Sequence, residues 1–328
     1  MRARPAATAA LVGVLALAAC GTTEQAPSDA TTPDGEAGTA DTSVTVTDAR
    51  GVEVTLDAPA ERVAVTEWNV AEYLVSLGVE PVGVADVTGF ETWDTTVELP
   101  EDVADIGGRG EPSIDTLAAL DLDVLFVTGS LVEGAVEQIE ETIPVVVVPG
   151  GDAADPVGSM FDNVDLVAEV TGTQDAAQTL QAEYDDAVEA ARAELGDVSD
   201  VPVAFADGYD TGEAVTVRPF TSGSLIGGVL GDLGFTDAWA ELPDLEADPA
   251  YGLAQVDVEG LTQLPEDTRF WYMANGDDDV FATALAENSI WTSLPFTADA
   301  VRFPDGIWGF GGPESMIRTI DAAVDAIG

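Results

Sequence analysis

The chain has 328 residues, of which 62 are acidic and 10 are basic, and all of the basic residues are arginines. The resulting formal charge of −52 excludes nucleic acid as a partner, because affinity for the phosphate backbone comes from basic side chains. With no histidine and a single cysteine, serine and cysteine triads of the usual kind are excluded too, and we do not expect an enzyme.

The amino terminus has the pattern of a secretory signal. Arg2 and Arg4 precede an apolar run over residues 9–19 that is too short to span a bilayer. The run ends in Leu-Ala-Ala-Cys, which resembles the lipobox of bacterial lipoproteins, where the cysteine receives a lipid and becomes the first mature residue. We therefore expect residues 1–19 to be a signal peptide and Cys20 to carry a membrane anchor. A plain secretory signal with an incidental cysteine is the alternative.

Residues 20–43 are predicted to form a disordered tether. They are rich in Thr, Ala, Gly, Asp, Glu and Pro and contain no aromatic residue. Such a segment cannot bury enough apolar surface to become ordered. It would hold the folded body away from the membrane surface.

Residues 44–173 read as a first α/β lobe. The segment "VTVTDARGVEVTL" alternates around a turn and predicts a β-hairpin. Short apolar strands then alternate with amphipathic helices, one of which opens at the N-cap residue Ser113. The predicted strands are "RVAV", "PVGVA", "DVLFVTG" and "PVVVVPG". Apolar runs of this kind are typical of buried parallel strands.

The pattern then becomes purely helical before strands return. A helix over residues 174–195 would be about 33 Å long at 1.5 Å per residue. Strands and helices alternate again over residues 196–328, in segments such as "VPVAFA", "AVTVRP" and "TRFWYM". The sequence therefore predicts an α/β fold of two Rossmann-like lobes, with mainly parallel sheets, joined by one long α-helix.

A set of aromatic and arginine residues lies in loops near the ends of predicted strands. Open α/β sheets bind ligands beyond the carboxyl ends of their strands. Aromatic faces offer apolar area, and the arginine fork grips oxygen atoms in a fixed geometry. For each aromatic residue taken alone, core packing is the alternative. The candidate ligand-binding residues are Trp93, Arg109, Arg218, Tyr251, Trp308 and Phe310.

Three stretches carry a resemblance to a known family: "TEWNVAEYLVSLGVEPVGVAD", "DIGGRGEPSIDTLAALDLDVLFVTG" and the carboxyl-terminal "IWTSLPFTADAVRFPDGIWGFGGPESMIRTIDAAVDAIG". They resemble the binding proteins of iron–siderophore ABC importers, the class with one rigid helix between its lobes. Within that class the sequence is most similar to the ferric-hydroxamate-binding proteins. The resemblance covers essentially all of residues 44–328.

The resemblance implies a shallow groove between the lobes that holds the ferric chelate. In the family, an arginine of the "G-R-x-EP" stretch contacts the iron-bound hydroxamate oxygens, and Arg109 matches it. Trp93 matches a tryptophan of the preceding loop, and Tyr251 stands where the family has a second-lobe tryptophan. The terminal aromatic motif of the family corresponds to Trp308 and Phe310, with loss of a hydroxyl. Arg218 is added from its own loop position, not from the family.

A family tyrosine after the third strand has no counterpart here, where Leu131 stands near its position.

The resemblance also implies partners. The family docks on its permease through one acidic residue per lobe. Glu259 matches the second-lobe position, and Glu133 or Glu137 lies near the first-lobe position. The implied partners are a ferric siderophore, an ABC permease and its ATPase, with the chain itself a monomer anchored outside the membrane.

The composition favours a hydroxamate chelate over a catecholate. A trianionic catecholate complex would need several basic groups, and this chain has few arginines and no lysine. Its five tyrosines are scattered, so we expect no direct iron ligands and no cofactor, with the iron held by the siderophore. Cobalamin or haem is the alternative ligand within the class, although haem usually requires an axial His or Tyr. A cell-envelope lipoprotein enzyme is the alternative from another class.

Overall fold

The structure is a computed structural model that describes residues 42–129, 133–212, 214–276 and 279–328. The predicted signal peptide, Cys20 and the tether up to residue 41 lie outside this range. Residues Thr42–Gly328 form one unit. Within the described ranges, no helix has both the length and the apolar character needed to cross a membrane.

Up to residue 148, the described part of the first lobe contains a five-stranded parallel sheet, two small hairpins and four helices. In chain order its elements are β1 (Val44–Thr47), β2 (Glu53–Leu56), β3 (Val63–Val65), α1 (Trp68–Ser76), β4 (Gly83–Val84), α2 (Val87–Trp93), β5 (Ala104–Asp105), β6 (Gly107–Gly108), β7 (Glu111–Pro112), α3 (Ile114–Ala119), β8 (Val124–Thr128), α4 (Glu133–Glu140) and β9 (Val145–Val148).

The sheet of the first lobe has the strand order β5-β4-β3-β8-β9, and all of its pairs are parallel. Each face packs into its own apolar core. In β8, for example, Val124 and Phe126 belong to one core, whereas Leu125 and Val127 belong to the other. A strand covered on both faces must be apolar throughout, which confirms the reading of these short runs as buried parallel strands.

Two consecutive helices lead to the second lobe, α5 (Pro156–Thr171) and α6 (Gln174–Leu195). On α6 the side chains of Ala177, Leu180 and Tyr184 are buried at helical spacing. The Tyr184 hydroxyl donates to Asp232 Oδ2 at 2.8 Å, which ties this helix to the second lobe.

In its described residues, the second lobe has a five-stranded sheet in which only the pair β10–β11 is antiparallel. This arrangement and the sheet of the first lobe confirm the predicted fold class. The segment "VEGLTQL" forms a short 3₁₀ helix, Gly260–Gln263, because Pro265 follows at once and prevents a longer helix. The elements of the lobe are β10 (Pro202–Asp210), β11 (Val215–Pro219), α7 (Leu225–Leu233), β12 (Thr236–Asp237), β13 (Arg269–Tyr272), β14 (Val301–Arg302) and α8 (Pro313–Ile327).

A buried carboxyl group connects the first lobe to the start of α8. Glu72 of α1 is fully buried. It accepts hydrogen bonds from the backbone N–H of Gly312 at 2.7 Å and of Ser315 at 2.8 Å, and from the Ser315 hydroxyl at 2.8 Å. Burial, followed by the charge of Asp94, raises the pKa of Glu72 well above its ordinary value. Glu72 therefore caps a helix that packs against both lobes.

Candidate functional site

A cavity of about 390 Å³ lies between the two lobes, next to the carboxyl ends of β3, β8 and β9. This is the edge at which open parallel sheets bind ligands. The first lobe contributes Glu67, Asn69, Arg109, Thr128 and residues 149–151, and the second contributes Arg218, Tyr251, Leu253, Trp308 and Phe310.

Arg109 projects from the tip of a hairpin in the first lobe. It lies in the two-residue turn between β6 and β7, whose register pairs Gly108 with Glu111. Its Nε donates to Glu67 Oε2 at 2.9 Å, and its Nη2 donates to the same oxygen. The guanidinium carbon lies 4.4 Å from the centre of the Trp68 ring and 5.7 Å from that of Trp308. The carboxylate and the rings hold this guanidinium in place at the cavity.

Arg218 is the corresponding group of the second lobe. It lies on β11 directly opposite Asp207 of β10. Its Nε donates to Asp207 Oδ1 at 2.8 Å, and its Nη2 donates to Oδ2, so the contact is bidentate. The guanidinium carbon lies 5.8 Å from the ring centres of both Phe220 and Phe310. Burial raises the pKa of Asp207 above its ordinary value, although the hydrogen bond and charge of Arg218 oppose the increase.

Aromatic rings form a continuous wall between the two arginines. Trp308 has edge contacts with Trp68 at 5.0 Å and with Phe310 at 5.2 Å between ring centres. Tyr251 approaches Phe310 at 6.0 Å and is 44% exposed, which is unusual for a large aromatic residue in this chain. The wall combines apolar area with an open face, as a ligand groove requires.

Five of the six sequence-predicted ligand residues line this one cavity: Arg109, Arg218, Tyr251, Trp308 and Phe310. Trp93 does not line it. Trp93 ends α2 and packs against Trp308 at 6.3 Å, so it supports the wall from the side. Its placement differs from the expectation because α2 turns the indole toward Trp308 rather than into the open cavity.

Several residues of the site were not predicted from the sequence, and four of them contact the two arginines. Glu67 and Trp68 follow the end of β3 after one residue, so their place beyond a strand end was a usable signal. Asp207 and Phe220 flank the cavity through their contacts with Arg218. The partnership of Asp207 with Arg218 depends on the register of the β10–β11 hairpin, which the sequence alone did not provide.

The two lobes approach each other closely at one end of the cavity. A side chain at Gly151, after β9, would place its Cβ 2.6 Å from the carbonyl oxygen of Ala250. The backbone N–H of Ala153 donates to the Pro249 carbonyl at 3.2 Å. Glycine at position 151 therefore permits the Tyr251 loop to rest against the first lobe.

Of the residues expected to contact a permease, Glu137 and Glu259 do not line the cavity. Glu137 on α4 and Glu259 before the 3₁₀ helix are both exposed. Glu133 begins α4, but its side chain lies outside the described part of the chain, as does Leu131. Within the described part, no group of three or more His, Cys, Asp or Glu side chains is placed to hold a metal ion.

Comparison with known proteins gives one family and several relatives. Residues 63–300 match the family described as "Periplasmic binding protein". The iron(3+)-hydroxamate-binding protein FhuD of Escherichia coli is 24% identical over 270 residues, which cover 81% of this chain and 87% of FhuD. The probable siderophore-binding lipoprotein YfiY of Bacillus subtilis is 24% identical over 311 residues, covering 92% of this chain and 90% of YfiY.

A solved structure shares the fold at lower identity. It is the triscatecholate siderophore-binding protein FeuA of Bacillus subtilis in complex with ferri-bacillibactin. The match has a TM-score of 0.68 at 17% identity and covers 86% of this chain and 97% of FeuA. At this identity the likeness concerns the fold alone, so the ligand must be argued from the site itself.

Proposed function

Since the chain belongs to the periplasmic binding protein family, we propose that it is the extracytoplasmic substrate-binding component of an ABC importer for a ferric siderophore. The observation that carries the proposal is the pair of arginines, one from each lobe, that face a single aromatic-walled cavity. The chelate would be bound by Arg109, Arg218, Tyr251, Trp308 and Phe310, with Trp93 supporting Trp308. The protein would be a carrier and not an enzyme.

The arginines are suited to the oxygen atoms of a chelate. A guanidinium has five N–H groups. Among the described residues, Arg109 and Arg218 each use two of them on a carboxylate, which leaves three on each for a ligand. Iron-bound hydroxamate oxygens are acceptors of the right kind. The similarity to a hydroxamate-binding protein supports a hydroxamate siderophore as the ligand.

We propose that lobes 44–173 and 196–328 are held at a nearly fixed angle by the helix 174–195. The binding site is then largely formed before the ligand arrives. Preformed contacts reduce the ordering cost of binding, so tight binding does not need a large contact area.

The proposed partners follow from the same assignment. Cys20 would carry the lipid anchor on the outer face of the cell membrane, in keeping with a relative described as a lipoprotein. The monomeric protein would deliver its ligand to a permease and its ATPase. Exposed Glu137 and Glu259 are the docking candidates, with Glu133 as the other first-lobe candidate. Uptake assays with charge-reversed variants of unchanged chelate affinity would test them.

Titration with ferrioxamine B and ferrichrome tests the proposal. Trp68 and Trp308 border the cavity, so a coloured ferric chelate bound there should quench the tryptophan fluorescence. Ligand at 100 times its Kd should also stabilise the fold by about 2.7 kcal/mol, visible as a rise in Tm. Cobalamin serves as the comparison ligand. If cobalamin alone quenches and raises Tm, or if neither ferric hydroxamate does, the siderophore assignment is wrong.

A further inference from the structure

Two carboxylates set the charge of the proposed groove. Glu67 and Asp207 contact the groove arginines, and their side chains are only 9% and 16% exposed. Among the residues that the structure describes, Arg109 and Arg218 are the only basic residues that line the cavity, and each one is paired. The two arginine–carboxylate pairs therefore offer hydrogen-bond donors without a net positive charge.

The surroundings add negative charge on one side. A second cavity, of about 810 Å³, adjoins the first and shares Arg218 and Leu253 with it. Arg218, already paired with Asp207, is the only basic residue in the described lining of this second cavity. Its acidic lining residues are Asp244, Glu246, Asp248 and Asp257. A ligand in the groove thus meets neutralised arginines on both lobes and a negative potential beyond one of them.

We infer that Glu67 and Asp207 make this groove selective for ferric chelates of zero or positive net charge, an inference that rests on the proposed function. A neutral or cationic chelate can accept hydrogen bonds from the free guanidinium N–H groups without being repelled by the carboxylates. A trianionic tricatecholate gains the same hydrogen bonds, but it meets no uncompensated cation and lies close to several carboxylates. Charges arranged in this way reject wrong ligands more than they strengthen the right one.

Variants that remove the two charges separate selectivity from structure. The double variant combines Asp207→Asn with Glu67→Gln. Each substitution keeps the shape of the side chain and an oxygen that can accept a hydrogen bond from the paired arginine. The probes are ferrioxamine B, which carries one positive charge, neutral ferrichrome and trianionic ferri-bacillibactin, each titrated by tryptophan quenching. The matched control is Asp186→Asn with Glu189→Gln, which removes two exposed charges from α6, a helix with no residue in either cavity.

The wild-type protein should bind the two hydroxamates at least about 100-fold more tightly than ferri-bacillibactin, given the cost of juxtaposed like charges. In the double variant this ratio should shrink by about 10-fold or more, chiefly through tighter binding of ferri-bacillibactin. The control should keep the wild-type ratio. In the wild type, raising the salt concentration should also reduce the ratio of hydroxamate affinity to ferri-bacillibactin affinity, because screening weakens the repulsion between the carboxylates and the trianionic chelate.

The possible failures are distinguishable. If the wild type binds none of the three chelates, the proposed function itself fails. If it binds the hydroxamates but binds ferri-bacillibactin equally well, the charge inference is overturned and the function stands. The charge inference is also overturned, and the function stands, if the folded double variant keeps the wild-type ratio of hydroxamate affinity to ferri-bacillibactin affinity. Should that variant not fold, the salt series on the wild type decides, and a ratio that is insensitive to salt overturns the inference.

Discussion

Replacing Arg109 with alanine is expected to weaken the binding of ferrioxamine B by about 10-fold to 100-fold while the protein stays folded. Hydrogen bonds from a charged donor contribute about 1.5–3 kcal/mol each, and 1.4 kcal/mol corresponds to a tenfold change in Kd. The variant loses these donors from the lining of the cavity. The lobe should remain intact, because Arg109 lies in a hairpin turn and its side chain is 36% exposed. Tryptophan quenching gives Kd, and circular dichroism reports the fold.

Two further variants make this result specific. Arg192→Ala removes the same charge from the exposed last turn of α6 and should leave Kd unchanged. Arg109→Lys keeps the charge but not the planar fork, and it should recover only part of the affinity. If Arg109→Ala binds ferrioxamine B as tightly as Arg192→Ala does, Arg109 does not contact the ligand.

The largest expected effect on stability belongs to Glu72→Ala. The change leaves the buried N–H groups of Gly312 and Ser315 without their carboxylate acceptor. Each such loss costs about 1–3 kcal/mol. The variant should therefore be less stable by about 3 kcal/mol, or about 6 °C in Tm at roughly 2 °C per kcal/mol for a chain of this length. Thermal unfolding followed by circular dichroism measures the shift.

Glu72→Gln is the matched comparison, because its amide keeps an oxygen for α8. The neighbouring groups are Asp94, from the segment after α2, and Arg318 on α8. Burial raises the pKa of Asp94, although the charge of Arg318 opposes the increase. A proton on Glu72 supplies the donor that Asp94 Oδ2 otherwise lacks among the described residues. The glutamine N–H can replace that proton, so this variant should unfold within about 2 °C of the wild type at neutral pH. Equal Tm values for Glu72→Ala and the wild type would contradict the capping role.

The same carboxyl group gives stability a pH dependence of known sign. Burial and Asp94 raise the pKa of Glu72 above its ordinary 4.5, so this carboxyl group keeps its proton in the folded protein at a pH where the unfolded chain has released it. The stabilisation from protonated Glu72 is full below about pH 4.5 and is lost as the pH rises through the raised pKa. The Glu72→Gln variant has no carboxyl group to titrate at this position, so it does not lose this stabilisation as the pH rises. Its Tm should therefore decline less than that of the wild type between pH 5 and pH 8.

The fold was predictable because its signals are local. Fully apolar runs such as "VLFVT" of β8 mark buried strands, and the spacing of Ala177, Leu180 and Tyr184 marks one face of α6. The order of the strands within each sheet was not predicted. It depends on which strands meet in space, and no single segment of the sequence encodes that contact.

The site was predictable where a residue follows a strand and unpredictable where it depends on pairing. The loop positions of Arg109 and Trp308 marked them as candidate ligand residues, and the family resemblance implied the groove that they line. The carboxylates that neutralise the arginines were missed, because acidic residues are everywhere in this chain and only the geometry separates Glu67 and Asp207 from the rest. Trp93 was assigned to the cavity because the sequence predicted a loop there, whereas the residue ends α2 and its indole packs against Trp308.

Crystals grown with ferrioxamine B and measured at the iron absorption edge test the central claim most directly. The account predicts an anomalous iron peak in the cavity between the lobes, with chelate oxygens in hydrogen-bond contact with Arg109 and Arg218 and the ligand resting on Tyr251 and Trp308. An iron peak outside this cavity, or a chelate in the cavity that touches neither guanidinium, would contradict it.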